Sequence, residues 1–67
     1  MYERIYGVIH VGKNLLIVGY NSQDKWSFRV VTKEGKIVQE IPNFSTPESA
    51  EKEGNIWIEN NLNSVNN

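Results

Sequence analysis

Apolar and polar positions alternate over most of the chain before Phe44. Tyr2 to Val11 is β-rich and alternating, the short run Leu15-Leu16-Ile17-Val18-Gly19-Tyr20 is apolar throughout, and Trp26-Ser27-Phe28-Arg29-Val30-Val31 and Ile37-Val38-Gln39-Glu40-Ile41 alternate again. Between these runs lie the turn signals Gly12-Lys13-Asn14, Asn21-Ser22-Gln23-Asp24 and Lys33-Glu34-Gly35-Lys36, the last with Gly35 available for a positive φ. Connections this short join neighbouring strands, so the pattern predicts a four-stranded antiparallel meander.

The period then changes. Phe44-Ser45-Thr46-Pro47-Glu48 is a helix-start signal: Ser45 or Thr46 can cap the first turn, Glu48 completes a capping box from Ser45, and Pro47 suits an early helical position. At helical spacing Ala50, Gly54, Trp57, Ile58 and Leu62 share one face, with Glu51, Lys52, Glu53, Asn55 and Glu59 spread over the rest. Gly54 costs about 1 kcal/mol relative to alanine in a helix interior, so its place on the apolar face predicts close approach to a bulky residue such as Trp26 or Phe28. Ile56 falls on the opposite side, exposed or against another chain. The predicted fold is α+β, a ββββα domain over residues 1–62 with one C-terminal helix packed on the sheet, and residues 63–67 as a frayed, Asn-rich tail.

Turn lengths set the registers. A two-residue turn at Gly12-Lys13 pairs Val11 with Asn14 and Ile9 with Leu16; the next turn pairs Tyr20 with Trp26; a two-residue turn at Glu34-Gly35 pairs Thr32 with Ile37. One face then carries Ile5, Ile9, Val11, Leu16, Val18, Tyr20, Trp26, Phe28, Val30, Ile37 and Ile41, the floor for the helix. The other carries Tyr6, Val8, His10, Leu15, Ile17, Arg29, Val31, Val38 and Glu40. A single helix covers one side only, and the outer side of a two-layer domain is normally polar. Scattered surface valines would account for part of that second set. The functional reading is a contact surface formed by Tyr6, Val8, His10, Leu15, Ile17, Arg29, Val31 and Val38, for a homodimer or a protein partner.

A chain of 67 residues has little core to spare, burying only about 60% of its unfolded surface. It has no cysteine and one histidine, His10, so neither a disulfide nor a histidine–thiolate metal site is available. Apolar residues at 39% of the chain suffice for folding. A formal charge of −1 and a sequence pI near 5.7 supply no general attraction to phosphate. The longest apolar run, Leu15 to Val18, is far short of the roughly 20 residues of a membrane span, and a cysteine-free cytoplasmic protein is the plain expectation. No carboxylate pair, nucleophile elbow or phosphate-binding loop is present, so neither catalysis nor a cofactor is expected. The alternative is a nucleic-acid module that presents Lys25, Arg29, Lys33 and Lys36 around the second hairpin, beside Trp26 and Phe28.

The pieces Trp26-x-Phe28-Arg29-Val30, Gly35-Lys36-Ile37-Val38 and Phe44-Ser45-Thr46-Pro47-Glu48-Ser49-Ala50-Glu51 resemble the YegP-type small domains, in which a hairpin with a glycine turn precedes a serine-capped helix. The same order is similar to the APETALA-type and integrase arm-binding DNA domains. That resemblance implies a sheet entering the major groove with arginines on its exposed face, of which this chain has Arg29. The likeness spans Lys25 to Asn61.

Overall fold

The computed structural model describes residues 2–63. Strands β1 (Arg4–Val11), β2 (Asn14–Asn21), β3 (Lys25–Val31) and β4 (Ile37–Phe44) form one antiparallel sheet in sequential order, followed by helix α1 (Pro47–Ile58) and a single π-helical turn, Glu59–Asn63. The fold is the expected ββββα arrangement. Of the tail expected to fray, residues 63–67, Asn63 closes the π-helical turn and residues 64–67 lie outside the described residues.

Each turn carries its own chemistry. Gly12, at φ 63°, takes the first position of the two-residue β1–β2 turn. At the β2–β3 turn, Asn21 Oδ1 accepts from the backbone N–H groups of Gln23 (3.0 Å) and Asp24 (2.6 Å), and Lys25 adopts φ 61° to enter β3. At the β3–β4 turn, Gly35 N–H donates to the Thr32 carbonyl and Thr32 N–H to that of Lys36, both at 2.9 Å, with Gly35 at φ 88°. This loop is one residue longer than a two-residue turn at Glu34-Gly35, and Ile37 pairs with Val31 instead of Thr32. A bulge restores the expected register for Val30–Gln39, Arg29–Glu40 and Phe28–Ile41.

The registers sort the sheet into cross-strand rows. Toward the helix run Ile9–Leu16–Val30–Gln39, Gly7–Val18–Phe28–Ile41 and Arg4–Tyr20–Trp26–Phe44. Away from it run His10–Leu15–Val31–Ile37, Val8–Ile17–Arg29–Glu40 and Ile5–Gly19–Ser27. Two residues assigned to the core face by strict alternation therefore change sides. A bulge between Ile5 and Gly7 places Ile5 opposite Gly19, and the bulge near the last turn places Ile37 opposite Val31; they are 53% and 50% exposed. Tyr6, the extra residue of the first bulge, moves the other way, its ring meeting that of Trp26 edge-on at 6.2 Å.

Thr46 caps α1, its side chain accepting from Ser49 N–H at 3.1 Å, and Pro47 opens the helix. Ser49 stands where a capping-box glutamate would, bonding to the Thr46 hydroxyl at 3.0 Å. The helix packs across β2 and β3, burying Ala50, Gly54 and Ile58 against Leu16, Val18, Phe28 and Val30. A Cβ on Gly54 would overlap Leu16 Cδ1 and lie 3.2 Å from Phe28 Cγ, so Leu16 is the nearer neighbour and Phe28 the next. Trp57 lies half-buried on the flank of this face, so its truncation costs less than the ~3–5 kcal/mol of a fully buried ring.

Gly54→Ala sets two effects against each other, a gain of about 1 kcal/mol in helix propensity and an overpacking cost of about 1–3 kcal/mol. With Leu16 at 0% exposure and unable to swing out, overpacking wins, and urea denaturation should show a net loss of stability. A net gain would contradict the close approach of α1 to β2.

Candidate functional site

The helix-free face is a strip of aliphatic side chains around one ion pair. Val8 is exposed, Leu15, Ile17 and Val31 are half-buried, and Ile37, exposed, continues the strip on β4. His10, exposed beside Leu15, lies at its edge. No group of three or more His, Cys, Asp or Glu side chains that could hold a metal occurs among the described residues. Arg29 and Glu40, directly opposite on β3 and β4, form an ion pair at 2.6 Å, with Arg29 Nε adding a second bond to the same Glu40 oxygen at 3.1 Å. That bond raises the Arg29 pKa further above its already high ordinary value. With both side chains partly exposed, the pair contributes at most about 1 kcal/mol of stability.

One end of this face is covered from within the chain by Tyr2. Its ring lies on Gly19, where a Cβ would come within 2.6 Å of both ring Cδ atoms, and against Arg29, whose guanidinium carbon is 5.0 Å from the ring centroid. Ser27, paired with Gly19 across the strands, is buried at 2% exposure on a face that has no helix. Tyr2, Gly19 and Ser27 were outside the predicted contact set. The available signal was a small residue in each of two adjacent apolar strands, a depression that a ring can fill.

Of the eight predicted contact residues, Val38 is the unpaired, exposed residue of the β4 bulge between Ile37 and Gln39, and six, Val8, His10, Leu15, Ile17, Arg29 and Val31, fall on this face by direct register. Tyr6 does not: its bulge sends it to the helix side, where Tyr6, Tyr20 and Trp26 cluster beneath Arg4, 5.0 Å from the Tyr20 ring and 6.0 Å from that of Trp26. The cations named for nucleic acid do not converge. Lys25 begins β3 and Lys33 and Lys36 flank its far end, about 25 Å away at ~3.3 Å per residue, while Arg29 between them is tied to Glu40 and Tyr2.

No helix among the described residues is long and apolar enough to cross a membrane. No family model matches the chain, and no curated protein or solved structure matches it significantly.

The Tyr2 hydroxyl is buried without a hydrogen bond of good geometry, and burial raises its pKa above the ordinary 10.0, with Ser27 and Arg29 pulling weakly the other way. Because the folded-state value is the higher one, stability from this group is intact below pH 10 and is lost as pH rises through the folded-state value. Ultraviolet titration should resolve a tyrosine that ionises later than the other two, and Tyr2→Phe should remove that late step while changing stability by less than about 1 kcal/mol. Three tyrosines titrating together would show that Tyr2 is not seated on Gly19.

Proposed function

We propose that the chain is a small non-catalytic interaction module that docks through its helix-free sheet face, and that the partner is a second copy of itself. The observation that supports this is the uncovered aliphatic strip Val8, Leu15, Ile17, Val31 and Ile37 on the side where an antiparallel sheet normally meets water with polar side chains. The charged pair on the strip, Arg29 and Glu40, is internally neutralised, so two copies can meet face to face without like-charge repulsion. A highly charged partner finds no unpaired opposite charge at the centre of the strip.

Magnitudes set the strength of such a dimer. Covering roughly 500 Å² of apolar surface per chain, about 1,000 Å² in all, gives a gross gain of about 25 kcal/mol at 25 cal/mol per Å², against ~4–15 kcal/mol for lost rigid-body freedom and further costs for side-chain ordering and imperfectly paired polar groups. The surplus corresponds to a concentration-dependent dimer.

Sedimentation should show mass rising toward the dimer between micromolar and millimolar chain. Ile17→Lys places a charge in the middle of the strip and should hold the chain monomeric, whereas Lys52→Glu on the exposed side of α1 should leave association unchanged. Association by apolar contact should also persist when salt is raised, since phosphate-like electrostatic binding weakens steeply with ionic strength. A monomer throughout this range would overturn the reading.

A further inference from the structure

On the opposite layer, a groove of about 250 Å³ runs between the C-terminal half of α1 and strand β4, lined chiefly by Phe28, Ile41, Phe44, Ile56 and Trp57, with Glu53 among its lining residues. We propose that this groove binds a small organic cation, an ammonium carried on an aromatic or branched alkyl body. A cavity of about 150 Å³ lined by Leu, Ile and Phe already accepts benzene, so this volume admits a ring with a short arm. The apolar lining also explains Ile56, which stands on the polar side of the helix pattern and is 41% exposed.

The charge of the ligand follows from Glu53. Its carboxylate has no ion pair or hydrogen bond among the described residues, and it stands four residues before Trp57, hence beside it on the helix surface. A carboxylate next to aromatic rings favours a cation twice over, by direct attraction and by the negative face of the ring. No lysine or arginine lines the groove to attract an anion. An added peptide strand is disfavoured on this side because Pro42 lacks a backbone donor and Asn43 sits at φ 73°, breaking the β4 edge beside Ile41 and Phe44. The occupant is therefore a free small molecule, independent of any docking on the other face.

The test is an amide and indole NMR titration of the full chain with benzylammonium, benzyl alcohol and benzoate. Benzylammonium should shift the Trp57 indole N–H and the Ile56 and Phe44 amides along a saturable curve, with benzyl alcohol weaker and benzoate weakest. Glu53→Gln, an exposed substitution whose fold is checked by the rest of the spectrum, should weaken benzylammonium about fivefold and leave benzyl alcohol unchanged. No shift at these positions with millimolar benzylammonium, equal binding of benzoate, or no effect of Glu53→Gln would each overturn the proposal. Because these signals are read whether the chain is monomer or dimer, failure here leaves the docking of the helix-free face untouched.

Discussion

The missing side chain at Gly54 determines where the single helix lies. With no Cβ there, α1 rests directly on Leu16 and Phe28, residues of the two central strands, and Ala50 and Ile58 close over the same pair of strands. This concentrates burial in a narrow band: Leu16, Val18, Phe28, Val30, Ala50 and Ile58 are all at 0–1% exposure, while Ile5, Val8 and Ile37 on the outer strands are half exposed. One helix of twelve residues cannot also cover the margins. The groove beside β4, the ring cluster under Arg4 and the whole helix-free face are what this placement leaves open.

The helix-free face is not left wholly to solvent, because the chain supplies a partial cover of its own. Tyr2 fills the depression made by Gly19 and Ser27 and leans on Arg29, which Glu40 holds from the other side. An arginine stacked on a ring and bonded to a carboxylate has little freedom left to read a nucleic acid base. The remaining strip around Ile17 and Val31 has no such cover, and its one charged pair, Arg29 and Glu40, is internally neutralised, which favours the proposed self-docking over phosphate binding.

Much of this was legible from period and turn chemistry. Strand order, the Thr46 and Pro47 helix start, and the pairs Val11–Asn14, Ile9–Leu16 and Tyr20–Trp26 follow from rules that act over a few residues. The misplacements of Ile5, Tyr6 and Ile37 share one cause: each lies at or next to a bulge, and a bulge inserts a residue without any change in the alternating pattern that would announce it. The Gly35 loop adds its own residue because Thr32 bonds across it. Tyr2 escaped for a different reason, since the contact of an N-terminal ring with Gly19 is long-range and depends on two small residues becoming neighbours only once β2 and β3 have paired. The groove at Trp57 was foreshadowed only by the odd position of Ile56.

The central claim, that the strip around Ile17 is covered by a second copy, is tested most directly by isotope-filtered nuclear Overhauser spectroscopy on an equimolar mixture of labelled and unlabelled chain. The account predicts intermolecular cross-peaks among the methyl groups of Val8, Leu15, Ile17 and Val31, and none from Ala50, which α1 buries against the opposite face of the sheet. Methyl groups on this face that show no contact across copies at millimolar concentration would contradict it.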